Sequence, residues 1–289
     1  MRIQKNVPLK NKTTMKIGGR AEWYLSPNNL SSLIEGLNFA KNNSLTVKIL
    51  GGGSNLLINE TLITGLIIDM KKFNKITTTD QSIVADGGVT IEKLCDISIN
   101  RSLSGLEFAG GLPGSIGGAA FMNARCYNSE FADIITMVEA VNLNGEIKQF
   151  TKEMINYSYK HSVFMDNEDL IIYRVHLQLK KADKRSIKNE ADKNRMDRVT
   201  KGQFKYPSAG CVFKNDYVVG ISSGKLIDES GLKGKSIGGA EVYPAHANFI
   251  INKNKATYKD IISLIDQVET TVKDKKNITL EREITIWDK

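Results

Sequence analysis

Leu50-Gly51-Gly52-Gly53-Ser54-Asn55-Leu56-Leu57 and Ala109-Gly110-Gly111-Leu112-Pro113-Gly114-Ser115-Ile116-Gly117-Gly118-Ala119 are two glycine-rich stretches, each interrupting an otherwise apolar segment. Residues without a Cβ reach positive φ and let backbone N–H groups come close to a phosphate. One such loop is an ordinary strand-to-helix turn. Two of them, on either side of a predicted strand and helix, suggest a clamp around a long, doubly charged ligand. Neither stretch fits GxGxxG or GxxxxGK[ST], which disfavours a Rossmann dehydrogenase and a P-loop nucleotide hydrolase.

Outward from the first loop, a strand is predicted at 21–25 and a helix at 30–42, with Leu30, Leu33, Ile34 and Leu37 at helical spacing. A strand at 46–50 then enters the loop, and 66–69 reads as a short buried strand. A second group follows: a strand at 82–86, a helix at 90–100 with Ile91, Leu94 and Cys95 inward, and a small-residue helix start at Gly118-Ala119-Ala120. Segments 134–143, 147–150 and 170–179, with Asn144-Gly145 as a turn, read as antiparallel strands. Residues 180–198 carry dense mixed charge and read as a solvated helix or connector. Beyond them lie a strand at 211–213, a helix at 222–229 and strands at 240–243 and 248–251. A long helix opens at Thr257 with Asp260 as capping partner and buries Ile261, Ile265, Val268 and Val272. A terminal strand at 283–287 returns to an earlier sheet. The pattern is α+β in three parts: 1–70, 71–180 with 280–289 returning to it, and 181–279.

The chain has 289 residues, 41% of them hydrophobic, enough for real cores. No apolar run reaches membrane-spanning length, and Met1-Arg2-Ile3-Gln4-Lys5-Asn6 lacks the apolar core of a secretory signal, so a soluble cytoplasmic protein is expected. Cys95, Cys126 and Cys211 are widely and irregularly spaced, signalling neither a disulfide framework nor a zinc site; reduced thiols and no metal are expected. The net charge of +8 suits an anionic partner. Its basic residues are scattered rather than striped with aromatics, which favours small anionic ligands over nucleic acid, with a plain basic surface as the alternative.

Read together, the two glycine stretches, Thr13-Thr14-Met15-Lys16-Ile17-Gly18-Gly19-Arg20-Ala21, Ser208-Ala209-Gly210-Cys211-Val212-Phe213-Lys214-Asn215 and His246-Ala247-Asn248-Phe249-Ile250-Ile251-Asn252 resemble the UDP-N-acetylenolpyruvoylglucosamine reductases, in the expected order over essentially the whole chain. The resemblance implies an FAD-binding fold of the vanillyl-alcohol-oxidase type, made of two α/β subdomains, followed by an α+β substrate domain. It also implies non-covalent FAD, NADPH as hydride donor and UDP-N-acetylglucosamine enolpyruvate as substrate, in peptidoglycan synthesis. Hydride added to C3 of the enol ether pushes charge through C2 into the carboxylate, so the site must stabilise an enolate-like dianion and then supply a proton.

The family's Leu-Glu-x-Glu strand matches Leu280-Glu281-Arg282-Glu283, which makes Glu283 the candidate catalytic carboxylate. Two positions depart from the family pattern. Tyr159-Lys160-His161-Ser162 puts Lys160 where an arginine is usual, and Ala209-Gly210-Cys211 puts Cys211 where the proton-donating serine is usual. A thiol is the better acid, so Cys211 can still donate; Lys160 keeps the charge but loses the bidentate fork. A third departure, Asn123-Ala124-Arg125-Cys126-Tyr127-Asn128, offers Arg125 as a replacement guanidinium, with a surface arginine as the competing reading.

The resemblance further implies that Gly51, Gly52, Gly53, Ser54 and Asn55, with Pro113, Gly114, Ser115, Gly117 and Gly118, hold the flavin and its diphosphate. Lys214, Asn215, Lys225, Glu229 and His246 are expected on the substrate side. Between Val175 and Pro207 there is little room for the tyrosine-bearing loop of longer members, so the chain resembles the compact type. A monomer is expected. An FAD-linked oxidase of the same fold and a catalytically silent flavin- or UDP-sugar-binding relative stay open as alternatives.

Overall fold

The helix expected from Leu30, Leu33, Ile34 and Leu37 forms over Leu30–Asn42 (α1) in the computed structural model, which describes residues 2–289. Asn29 caps it: its Oδ1 accepts from the Ser32 amide at 2.9 Å, and Ser32 returns the bond to Asn29. Leu33, Leu37 and Ala40 are buried in a core with Leu66, Ile68, Phe73, Val141 and Tyr173. Alongside runs a parallel pair, Val47–Leu50 with Leu62–Asp69, in register from Val47↔Leu66 to Leu50↔Asp69. Gln4–Pro8 and Arg20–Leu25 complete that sheet in the order Gln4–Pro8, Arg20–Leu25, Leu62–Asp69, Val47–Leu50.

The chain divides into two units. The first holds residues up to Lys5, Glu22–Gly52 and Thr64–Asp197. Besides α1 and Val47–Leu50 it contains an antiparallel sheet in the order Ile147–Thr151, Ile135–Asn142, Leu170–Gln178, Ser82–Asp86, Ile76–Thr79. Ile91–Asn100 (α2) and Ile116–Phe121 (α3) pack on it through a core that includes Leu94, Phe108, Phe131, Val138, Phe164 and Val175. Two more helices follow, Lys152–Ile155 (α4) and Lys184–Thr200 (α5). The helix α5 is not wholly solvated as the charge density suggested. Ile187, Ala191, Asn194 and Arg198 are buried along one face, and Gly110 lies so close that a Cβ there would stand 2.3 Å from the Ala191 carbonyl oxygen. A thin stripe at three- and four-residue spacing, only two of its members apolar, suffices to dock a helix and is easily hidden among charges.

The second unit holds Asn6–Ala21, Gly53–Ile63 and Arg198–Lys289. Its antiparallel sheet runs in the order Ser208–Cys211, Phe249–Asn252, Ala240–Val242, Ser236–Ile237. Ser223–Glu229 (α6) and Tyr258–Lys276 (α7) accompany it. The predicted box closes α7: Asp260 N–H donates to Thr257 Oγ1 at 3.1 Å and Thr257 N–H to Asp260 Oδ2 at 2.9 Å. Ile261, Leu264, Ile265, Val268 and Val272 are buried, each apolar side chain contributing on the order of 1.5–3 kcal/mol.

The division departs from the three-part expectation in two respects. No boundary falls at residue 70, because 64–197 is one stretch of the first unit. The terminal strand Thr285–Trp287 does not return to 71–180; it pairs in parallel with Leu56–Ile58, from Thr285↔Leu56 to Trp287↔Ile58. Burial is the reason: Leu57 and Ile284 lie in the second unit's core, with Ile286 packed against it. Leu56–Ile58 and Gln4–Pro8 are too short and irregular in pattern to be read as strands from the sequence. Among the described residues no helix is long and apolar enough to cross a membrane.

Candidate active site

The first unit brings the two glycine stretches together through bare backbone. A Cβ on Gly52 would stand 2.5 Å from Gly114 Cα, and one on Gly51 would stand 2.7 Å from Ser115 Oγ. Such closeness leaves no room for a Cβ at either glycine, and glycine loops of this kind can present main-chain amides to an anion. Ser115 is buried and caps α3, its Oγ accepting from the Gly118 amide at 3.4 Å. Gly117 donates its amide to the Gly87 carbonyl at 2.9 Å, and Ile116 to Val89 at 2.8 Å. Gly117 and Gly118 therefore use their amides within the protein, and Gly117 serves packing, since its Cβ would meet Gly87 O at 2.8 Å. Pro113 is exposed at the start of the turn, where Gly114 takes φ 127°.

The other half of the first loop belongs to the second unit. Gly53 takes φ 70°, and its carbonyl accepts from the Thr14 amide at 3.0 Å. A Cβ there would stand 2.5 Å from Lys12 O, so the Thr13-Thr14 motif is the loop's backing. Ser54 is half-buried. Asn55 turns its side chain to the C-terminal segment, its Nδ2 donating to the Glu283 carbonyl at 2.9 Å.

Cys211 and Glu283, far apart in sequence, are attached to adjacent backbone. Cys211 ends the strand Ser208–Cys211 opposite Phe249, after a register shift around Gly210 at φ 78°. It is half-buried and packs with Tyr206 against Tyr243, Phe249 and Ile251. The next residue, Val212, accepts from the Glu283 amide at 2.7 Å, and Lys214 N–H donates to Glu281 O at 2.8 Å. Asn248, buried in the quoted motif, fixes the same corner by exchanging bonds with both the Phe213 amide and carbonyl.

The remaining substrate-side candidates divide. Lys214 Nζ reaches Glu281 Oε1 at 2.7 Å, and Asn215 Oδ1 accepts from the Ser223 amide at 3.0 Å, which places both beside Glu283's segment and the start of α6. His246 is half-buried, tilted against Phe249 with ring centroids 4.4 Å apart, and its Nδ1 is buried without a hydrogen-bond partner. Burial, reinforced by the charges of Lys201 and Lys233, holds its pKa below the usual histidine range despite a backbone hydrogen bond that acts the other way. Lys225 and Glu229 form an exposed pair at 3.9 Å, and Glu229 is held at 3.0 Å by Lys276 of α7. That hydrogen bond to Lys276 lowers the Glu229 pKa. These two residues thus have a surface partner set of their own.

Lys160 occupies the tight turn Ser158–His161, closed by reciprocal main-chain bonds, with φ 54°. A lysine in left-handed conformation is uncommon, and such strain concentrates at functional positions. The departing segment next to it is a hairpin: Arg125 and Cys126 pair with Glu130 and Ser129 across Tyr127-Asn128, both at positive φ, the two-residue turn that suits strand twist. Asn123, fully buried, ties hairpin and turn together, donating to Ser158 O at 3.0 Å and accepting from the Ala132 amide at 3.0 Å. The Arg125 guanidinium lies 5.1 Å from the Tyr159 ring centroid and 3.9 Å from Glu130 Oε2. Asn123 and Arg282 carried no signal of their own in the sequence: Asn123 stood only in the segment that departs from the family pattern, and Arg282 only in the Leu280-Glu281-Arg282-Glu283 match.

A UDP-N-acetylenolpyruvoylglucosamine reductase of Borrelia garinii is 43% identical over 279 residues, spanning 96% of this chain and 90% of that protein. The chain belongs to the UDP-N-acetylenolpyruvoylglucosamine reductase family. The reductase of Treponema denticola is 40% identical, over 96% of this chain and 91% of that protein. In three dimensions, UDP-N-acetylenolpyruvylglucosamine reductase from Thermus caldophilus superposes with a TM-score of 0.84 at 32% identity, covering 99% of each chain. Residues 202–287 match the C-terminal domain of this reductase family, and residues 21–151 match the FAD binding domain family. The fold expected from the five sequence segments, an FAD-binding part followed by the reductase's own C-terminal domain, is the one present.

Proposed function

We propose that this chain reduces the enolpyruvyl ether of UDP-N-acetylglucosamine enolpyruvate to UDP-N-acetylmuramate, with non-covalent FAD and NADPH, for peptidoglycan synthesis. The closely approaching loops at Gly51–Gly52 and Gly114–Ser115, with three glycines and the Ser115 hydroxyl, fit the diphosphate of FAD. When bound, FAD supplies the hydride that C3 of the ether gains, its two electrons coming from NADPH, while C2 gains a proton and NADP+ is released.

The protein's own groups handle charge and proton. Cys211 donates the proton to C2 from a half-buried position beside Tyr206, Tyr243 and Phe249. Lys160 offsets the charge that moves into the substrate carboxylate, from a turn whose strained backbone fixes it. Glu283 shares a proton with that carboxylate. Lys214, Asn215 and His246 contact the sugar nucleotide, and Lys225 and Glu229 lie on its outer side.

The observation that carries this reading is the bond from the Glu283 amide to Val212 O, which joins the backbone of Glu283 to that of the residue after Cys211. Stopped-flow measurement of the two half-reactions tests it. Cys211→Ala is expected to leave flavin reduction by NADPH intact and slow product formation by about 10²–10⁴-fold, the range for removing a general acid. Cys211→Ser retains part of the rate. Product forming at the wild-type rate in Cys211→Ala overturns the proton-donor assignment.

A further inference from the structure

We infer that Arg282 is the positioning residue of Glu283, an inference that rests on the role proposed for that carboxylate. Arg282 grips helix α7 with a planar fork: Nε donates to Glu269 Oε1 at 2.6 Å and Nη2 to Glu269 Oε2 at 2.7 Å. The same Nη2 reaches Asp266 Oδ1 at 2.7 Å. Asp266 and Glu269 are three residues apart on one helical face, so a single guanidinium meets both. The helix itself is held by the five buried apolar residues between Ile261 and Val272.

In extended backbone, successive side chains point to opposite sides. Holding Arg282 on α7 therefore turns Glu281 and Glu283 away from it. Glu281 shows this, since its Oε1 meets Lys214 Nζ at 2.7 Å. Main-chain bonds fix the register: Phe213 bridges Arg282, Lys214 N–H donates to Glu281 O, and Glu283 N–H donates to Val212 O. Register and direction together fix the backbone from which the Glu283 side chain leaves, on the side away from α7.

Arg282 acts through position rather than charge. Two carboxylates already surround its guanidinium, so little positive potential remains to tune Glu283. Lysine, a point donor, cannot reproduce the fork.

Arg282→Met, Arg282→Lys and Glu269→Gln holoenzymes test the inference against Glu283→Gln. Arg282→Met is expected to slow reduction of the enol ether about 10–100-fold, the usual cost of losing a supporting partner, while flavin reduction by NADPH changes less than about two-fold. Arg282→Lys and Glu269→Gln should fall between Arg282→Met and wild type. A second readout needs no turnover: amide hydrogen exchange at Glu283 and Lys214 speeds up in Arg282→Met. If Arg282→Met fails to fold, Arg282→Lys and Glu269→Gln decide by the same two readouts. The inference is overturned if both half-reactions slow equally, or if product formation is unchanged. Wild-type product formation in Glu283→Gln instead overturns the reading of Glu283 itself, whereas a slow Glu283→Gln beside fast Arg282 variants removes Arg282 alone.

Discussion

The side-chain amide of Asn55 donates to the main-chain carbonyl of Glu283 at 2.9 Å, so the end of the first glycine loop and the segment before the C-terminal strand are joined by a side chain. Thr285 N–H adds a bond to the Asn55 carbonyl at 3.0 Å. Asn55 was expected to hold cofactor; the structure gives its amide to the backbone of the candidate carboxylate. Asn55→Ala is expected to cost about 1 kcal/mol of stability, the net worth of one hydrogen bond. It should also slow product formation more than it weakens flavin binding. Thermal unfolding together with flavin titration checks both parts, and a variant that loses only flavin would show that Asn55 serves the cofactor.

Gly52→Ala places a methyl group 2.5 Å from Gly114 Cα, where only backbone can move aside. Purified Gly52→Ala is expected to be depleted of flavin, read from its visible absorbance. Gly118→Ala is the control: its Cβ would lie 3.5 Å from Ser115 Oγ, ordinary contact, in an exposed helical position. Gly118→Ala should keep its flavin and gain about 0.4–1 kcal/mol through the unfolded state.

Arg125 leans on the Tyr159 ring beside the strained Lys160 turn. Arg125→Ala removes a cation–π contact worth about 0.5–1 kcal/mol at a partly exposed site. A rise of a few-fold in KM for the enol ether is expected, with flavin reduction unchanged. Unaltered steady-state turnover would leave Arg125 as a surface residue.

His246 makes stability depend on pH. Its folded-state pKa lies below the ordinary 6.5 because burial disfavours the cation. The neutral ring's contribution is complete above that ordinary value and is lost as pH falls from there through the folded pKa, because the unfolded chain binds the proton first. Melting temperature followed from about pH 8 to about pH 5 should drop more steeply for wild type than for His246→Gln.

Ile265 is fully buried in the second unit's core. Ile265→Ala is expected to cost about 2–5 kcal/mol, seen in chemical denaturation, because the methyl groups removed leave a cavity that the neighbours of α7 close only in part.

The sequence by itself determined the elements with strong periodicity or clear end signals, and the family. Leu30, Leu33, Ile34 and Leu37 announce α1, and Thr257 with Asp260 announces α7, because both signals are local and depend on neighbours a few residues away. Family membership was legible from five ordered segments, four of them carrying glycines whose backbone conformation or packing few other residues satisfy. Tertiary structure alone decided which distant groups meet. Leu56–Ile58 became a strand only by pairing with Thr285–Trp287, and the thin buried face of α5 counted only once Gly110 let Ala191 approach. Arg282 reads as one more surface charge until Glu269 and Asp266 arrive from α7, and nothing in the sequence joins Asn55 to Glu283 until the fold sets them side by side. Hydrogen bonds and packing between segments far apart in the chain depend on where folding brings them, and no window of sequence contains both partners.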